Sequence, residues 1–243
     1  MREMQIDELK NRLARICKSR FLGDDSRVVF SELYIPYIPD SWNGVLVLAE
    51  AQNLAKRNND YVAILRNMSS SQRIERLYFA VKTERRIRIQ PWDDGSLQLA
   101  VEAALKVNPM ETAVSNSVMW SQRKDNGTNR NPSSVLKIKS MEIWSKMLKE
   151  MSPEIVVTAG AVARDVISPI WPSEKLINWR LPSPPAMAIL AGRTDPRDVE
   201  SERVTIQTLF NKYPKWFYKN RRFKEIYIWH AINKLNQNVF HDA

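Results

Sequence analysis

The sequence predicts an α/β protein, a three-layer α/β/α sandwich with a central four-stranded parallel sheet and additional helices at both ends. Four short and largely apolar runs are typical of strands buried in a parallel sheet. Segments with helical spacing separate these runs, and strands alternating with helices of this length indicate a parallel arrangement. The chain has 243 residues, 44% of them hydrophobic, which is enough to bury a large core.

The first half of the chain supplies four of the predicted helical regions and the first strand. Residues 4–19 have the apolar spacing of an amphipathic helix, and residues 44–49, "GVLVLA", read as a central strand. Residues 50–65 and 72–81 follow with helical spacing. A further helix is predicted from about Ser96, with Asp94 or Ser96 near its cap.

In the second half of the chain, predicted strands and helices alternate more regularly. Residues 111–116, "ETAVSN", are the second strand candidate, and a long basic loop, "SQRKDNGTNRNPSS", follows. A helix over 134–151 leads to the strand "EIVVTAG", which turns into a helix over 161–167. The fourth strand, "KLINWR", ends in "LPSPP". Because proline fixes φ and lacks an N–H, we expect a stiff loop there rather than a helix start.

We expect one domain, in which residues 44–195 form the sandwich, 1–43 a helical addition, and 196–243 one or two further helices. Residues 211–224 contain six Lys or Arg, five aromatic residues and no acid. This composition suits an arm that contacts DNA. The alternative is an amphipathic helix whose aromatic rings pack on the sandwich.

Composition narrows the classes of function. The chain carries 37 Lys and Arg against 27 Asp and Glu, and this net charge of +10 suits a polyanionic partner such as nucleic acid. The alternative is a soluble surface that happens to be basic. Cys17 is the only cysteine, and His230 and His241 are the only histidines. A disulfide, a cysteine zinc site and a Ser-His-Asp triad are therefore disfavoured. With no signal peptide or membrane-length apolar run, we expect a cytoplasmic protein.

Ligands of open parallel sheets bind beyond the carboxyl ends of the strands. Four segments reach that edge: "VLVLAEAQN", "TAVSNSVMW", "MSPEIVVTAGAVARDVI" and "RLPSPPA". The connection "IQPWDDGSLQL", between the first and second of them, could fold over the same edge. In their order along the chain these segments resemble the motifs of the uracil-DNA glycosylase superfamily, across residues 44–190. The resemblance implies a monomeric, base-flipping DNA glycosylase that cleaves the N-glycosidic bond, leaves an abasic site and needs no metal or cofactor.

The first motif supplies the candidate catalytic residues. By the resemblance, Glu50 positions a water molecule or stabilises the cationic sugar. The alternative is a carboxylate beside a helix start. Gln52 and Asn53 either hydrogen-bond a base or a water molecule, or act as ordinary caps.

Three more residues are candidates for binding the base. The resemblance implies that Trp92 stacks on the flipped base, and simple core burial is the alternative. Asn116 would read the edge of a pyrimidine, unless it is an ordinary turn asparagine. Asp94, beside Asp93, is either a nearby carboxylate or only a helix cap.

The resemblance places the "LPSPP" loop on a DNA phosphate, with Pro182, Ser183 and Pro184 in contact and Met187 as a wedge in the duplex. Cationic loops should also lie near this mouth. The candidate phosphate-binding residues there are Arg88, Arg123, Lys124 and Arg130.

Two departures from the superfamily pattern bear on the substrate. The first motif lacks its usual glycine and proline, and Leu181 stands where the superfamily has a histidine that stabilises the departing pyrimidine. Leucine cannot donate a hydrogen bond. We therefore expect a modified or otherwise different base, as in enzymes that attack modified phage DNA in phage defence. The alternatives are a DNA-binding module without catalysis and a hydrolase of RNA or nucleotides.

Overall fold

The computed structural model describes residues 3–17, 35–51, 69, 72, 89–120, 122–123 and 129–239. Its main sheet has four parallel strands, β1 (Val45–Ala51), β2 (Ala113–Val118), β5 (Ile155–Ala159) and β6 (Leu176–Trp179). Their order in the sheet is β2-β1-β5-β6. The prediction of a four-stranded parallel sheet is therefore confirmed.

Helices lie on both sides of this sheet. They are α1 (Glu3–Cys17), α2 (Gln90–Asp93), α3 (Ser96–Leu105), α4 (Ser134–Met151), α5 (Ala161–Ile167), α6 (Pro184–Arg193), α7 (Pro196–Glu200), α8 (Arg203–Lys212), α9 (Pro214–Phe217) and α10 (Arg221–Val239). Short 3-10 turns occupy Pro109–Glu111 and Ser173–Lys175.

The apolar strands bury both of their faces, which creates the three layers. On the first face, Leu46 and Leu48 of β1 pack in a cluster with residues of α1, α4 and α5. On the second face, Val45 and Val47 pack with residues of α3, α6 and α10. Alternating side chains of one strand thus enter opposite cores, as expected for a strand covered on both sides. The predicted α/β/α sandwich is confirmed.

The helices predicted over 134–151 and 161–167 begin and end at the residues expected. Strand β1 continues through Ala51, so Glu50 lies within the strand and does not start a helix. The rest of the predicted helix over 50–65, after Ala51, lies outside the described residues. Of the predicted helix over 72–81, only Gln72 is described. In the basic loop the structure has a small antiparallel hairpin of β3 (Gln122–Arg123) and β4 (Asn129–Arg130).

The proline-rich segment differs from its prediction. Pro184 is the first residue of α6, so the stiff loop is in fact a helix start. The first helical position tolerates proline because its N–H has no partner within the helix, and the fixed φ suits the helix. Ser183 occupies the cap position, and its side chain makes no capping hydrogen bond.

The C-terminal region contains four helices, α7 to α10, where one or two were predicted. Prolines at positions 196 and 214 each begin a new helix, and Asn220 has a φ of 57° directly before α10. Helix α10 contributes Ile226, Tyr227 and Ala231 to the core on the second face of the sheet. Helix α10 is therefore part of one layer of the sandwich.

The aromatic residues of segment 211–224 pack largely inward, in agreement with the structural alternative. Phe217 is buried, and the ring of Tyr213 stacks on that of Trp216 at 4.2 Å between centroids. Trp216 lies against Gly95, where the Cβ of any larger residue would be 2.4 Å from the Trp216 Cγ. Tyr218 is the exception, with 86% of its surface exposed.

One cation of this segment is buried as well. Lys224 is 6% exposed, and its Nζ donates to the carbonyl oxygens of Asp94, at 2.5 Å, and of Trp216. Burial lowers the pKa of this ammonium, and the charge of Asp94 opposes the change. Lys224 therefore ties α9 and α10 to the turn that follows Trp92.

We expect Lys224→Met to reduce the free energy of unfolding by about 3 kcal/mol, because two carbonyl oxygens lose the charged donor that is buried against them. Urea unfolding followed by circular dichroism measures this change. The matched control is Lys219→Met, since Lys219 is exposed on the same segment. Equal stabilities of the two variants would show that the buried ammonium does not hold the segment.

Candidate active site at the carboxyl edge of the sheet

The order of the strands defines one position at the sheet edge where a ligand is expected. Helix α3, in the connection from β1 to β2, packs on the second face of the sheet, and β2 lies on one side of β1. Helix α5, between β5 and β6, packs on the first face, and β6 lies on the other side. The connections therefore diverge between the neighbouring strands β1 and β5. Such a topological switch point opens a crevice beyond the carboxyl ends of the two strands.

Glu50 lies at this switch point. It is the penultimate residue of β1, and its Oε1 accepts a hydrogen bond from the Val162 amide at 3.3 Å. The contact with the turn between β5 and α5 is close, because a Cβ on Gly160 would lie 2.3 Å from Oε1. The Gly160 φ of 105° also favours glycine. The carboxylate thus bridges the two strands between which the connections diverge.

The half-buried position changes the acidity of Glu50. Burial raises its pKa, and this is the largest influence. The Val162 and Ala161 amides and the charge of Lys137 lower the pKa, while Asp165 raises it. A raised pKa in a carboxylate at a sheet edge is a common property of functional sites.

Asn116 is buried within β2, so the interpretation as a turn asparagine is wrong. It is paired in register with Ala49 of β1. Because successive strand residues point to opposite faces, the pleat places Asn116 with Ala49 and on the other face from Glu50. The nearer link to Glu50 is Ser117, whose Oγ donates to the Glu50 carbonyl oxygen at 3.3 Å.

Trp92 lies in a core, and Asp94 contacts the start of α3. Trp92 is 3% exposed and belongs to the core on the second face, so stacking on a base would require its surroundings to move. Asp94 is exposed, and its Oδ1 accepts from the Ser96 amide at 2.8 Å. That contact stabilises the start of α3.

The segment before α6 is held from α10. Tyr227 donates its hydroxyl to the Arg180 carbonyl oxygen at 2.7 Å, and His230 Nε2 accepts from the Arg180 amide at 3.5 Å. These contacts fix the chain just before Pro182. Leu181 packs against the core on the second face.

Met187, the predicted wedge, is buried in this structure and would have to leave the core to enter a duplex, so its role stays a prediction. Met187 is 3% exposed and packs in the same core as Trp179 and Tyr227. The helix that begins at Pro184 turns this side chain towards the sheet. Pro182, Ser183 and Pro184 remain at or near the surface and keep their proposed role.

His230 makes stability sensitive to acid. It is 6% exposed, and burial, followed by the charges of Lys234 and Arg180, lowers its pKa from 6.5 to about 4. Between these pH values the unfolded chain binds a proton that the folded protein does not. Stability should therefore fall as the pH drops through this window, by about 3 kcal/mol in total.

Urea unfolding at a series of pH values checks this prediction. The free energy of unfolding of His230→Gln should fall less than that of the unmodified protein between pH 6.5 and 4, because the titrating group is gone. Parallel curves for the two proteins would contradict the assignment.

The structure does not describe the side chains of several candidate residues. Gln52, Asn53, Arg88 and Lys124 lie outside the described residues, and only the backbone of Arg123 and Arg130 is described, in the β3–β4 hairpin. Sequence reasoning missed Gly160, Lys137 and Asp165 as neighbours of Glu50. The glycine at the end of the strand "EIVVTAG" was the one available signal, because it occupies the same sheet edge.

Known proteins and the described residues give no further assignment. No model of a known protein family matches the chain, and no curated protein matches it. Within the described part of the chain, no group of three His, Cys, Asp or Glu residues is placed to hold a metal ion. Among the same residues, no helix is both long and apolar enough to cross a membrane.

Proposed function

We propose that the protein is a DNA glycosylase that flips a modified or otherwise non-uracil base out of DNA and hydrolyses its N-glycosidic bond. The observation that carries the proposal is the carboxylate of Glu50 at the switch point of the sheet. The net charge of +10 supports a nucleic-acid partner. The resemblance of the ordered motifs to the uracil-DNA glycosylase superfamily supports the reaction.

In this proposal Glu50 acts on the sugar carbon or on a water molecule beside it. Departure of the base leaves a cationic, oxocarbenium-like sugar, and a nearby carboxylate stabilises that charge or orients the attacking water. The partial burial of Glu50 strengthens both effects, because the interactions are less screened by solvent. The fixed contact with the Val162 amide holds the carboxylate in place before the substrate arrives.

A DNA-binding module without catalysis is the second candidate. It is favoured by Leu181, which packs against the core and offers no hydrogen bond to a departing base. The buried positions of Trp92 and Met187 also favour it, since neither side chain is open to a base as the structure stands.

One panel of substrates separates the candidates. The protein is incubated with single- and double-stranded DNA that carries uracil, hypoxanthine, 5-hydroxymethylcytosine or glucosylated hydroxymethylcytosine, and alkali then cleaves any abasic sites. The glycosylase produces strand breaks with at least one of these bases. Salt-sensitive binding without breaks across the panel supports the binding module.

A further inference from the structure

An ion pair joins the two helices that lie beside Glu50 on the first face of the sheet. Lys137 Nζ of α4 contacts Asp165 Oδ2 of α5 at 3.0 Å, and Arg164 also approaches Asp165, at 3.5 Å. Because the strands are parallel, α4 and α5 both begin at the carboxyl edge of the sheet. The ion pair therefore lies at the same edge as Glu50.

The contacts of Glu50 bring it close to this pair. Its Oε1 accepts from the Val162 amide at 3.3 Å, and Asp165 lies three residues further along the same helix, a spacing that places side chains on one helix face. The positive charge of Lys137 lowers the pKa of Glu50, whereas the negative charge of Asp165 raises it. Lys137 in turn lowers the pKa of Asp165. Only 28% of the Lys137 side chain is exposed, so solvent screens its charge less than that of a free surface lysine.

We propose that the Lys137–Asp165 ion pair controls the charge of Glu50. Lys137 is a positioning residue that favours the charged carboxylate of Glu50, and Asp165 disfavours it. Among the described residues, the other groups around Glu50 are the uncharged amides of Ala161 and Val162 and, beyond Asp165, the guanidinium of Arg164. Any consequence for catalysis rests on the proposed function of Glu50. The proposed control of the charge of Glu50 does not depend on that function.

The test is a titration of the Glu50 carboxyl carbon by carbon-13 NMR in the full chain, with the signal assigned from Glu50→Gln. Lys137→Met should move the midpoint to higher pH, because the favourable cation is lost. Asp165→Asn should move it to lower pH, because the unfavourable anion is lost. Opposite shifts are the distinctive result, since a general loosening of the site would move both variants in the same direction.

Lys139→Met is the matched control. Lys139 lies on the exposed side of α4, where it faces Glu142 at 3.7 Å, and its removal changes the net charge by the same amount. We expect a smaller shift than for Lys137→Met. The inference is overturned if Lys137→Met and Lys139→Met give equal midpoints, or if the Lys137 and Asp165 variants shift together.

This titration needs no DNA, so its outcome is separate from that of the proposed function. If base release is found, the acid side of its pH–rate profile should shift in the same order as the titration midpoints. It should lie at the lowest pH for Asp165→Asn and at the highest pH for Lys137→Met. Opposite titration shifts without base release would leave the ion pair established and the glycosylase proposal wrong.

Discussion

Glu50→Gln is expected to lower the rate of base release by about 10² to 10⁴ fold, because the amide cannot stabilise a cationic sugar or take up a proton from water. Glutamine keeps an oxygen that can accept from the Val162 amide, so the fold and the affinity for DNA should change little. Single-turnover assays of alkali-labile sites, with enzyme in excess, measure the chemical step directly.

The control for this variant is Glu154→Gln. Glu154 is exposed just before β5, at the opposite edge of the sheet, so the same chemical change there should leave base release unaffected. Full activity in Glu50→Gln would remove Glu50 from the chemistry. Equal losses in the two variants would point to a general effect of charge on DNA binding.

Gly160→Ala is expected to damage both the fold and the site. The new Cβ would lie 2.3 Å from Glu50 Oε1, and alanine is strained at a φ of 105°. Backbone strain and crowding together should cost about 3 kcal/mol of stability. Because the carboxylate must move away from the Val162 amide, base release should also fall.

A double-mutant cycle with Glu50→Ala separates the two costs. Removing the carboxylate relieves the crowding, so Gly160→Ala should destabilise the Glu50→Ala protein less than the unmodified one. The backbone strain at position 160 remains in both. Additive changes in the free energy of unfolding would show that the carboxylate and the glycine are not in the contact described.

The regular part of the fold was predictable because strong local signals mark it. Helix α4 begins after Ser133, whose side chain accepts from the Leu136 amide, and Gly160 separates β5 from α5. The end of β1 was not predictable in the same way, because Glu50 and Ala51 are compatible with either a strand or a helix. Only the pairing of Ala51 with Val118 in the neighbouring strand extends β1 that far.

The proline-rich segment shows how one signal supports two structures. Proline excludes the middle of a helix but suits its first turn, so "LPSPP" marks either a stiff loop or a helix start. The phase of the helix that follows decides the position of Met187, and no local pattern determines that phase. In this structure that phase buries Met187, so a wedge would require the side chain to leave the core.

The position of Glu50 at the sheet edge was predictable, but its contacts there were not. A polar residue at the end of the first strand marks the sheet edge, which placed Glu50 correctly. Its contact with Val162 spans 112 residues of chain, and the pair of Lys137 with Asp165 joins two separate helices. Such contacts depend on how the layers pack, which no local pattern records.

Release of a base from DNA is the reaction on which the proposed function depends. Mass spectrometry detects it directly, in the products formed after incubation with DNA that contains hydroxymethylcytosine, its glucosylated form, uracil or hypoxanthine. We expect a free base and an abasic strand in equal amounts, both much reduced with Glu50→Gln. Intact strands and no free base from any of these DNAs, despite tight and salt-sensitive binding, would show that the protein is not a glycosylase for them and would favour the binding module.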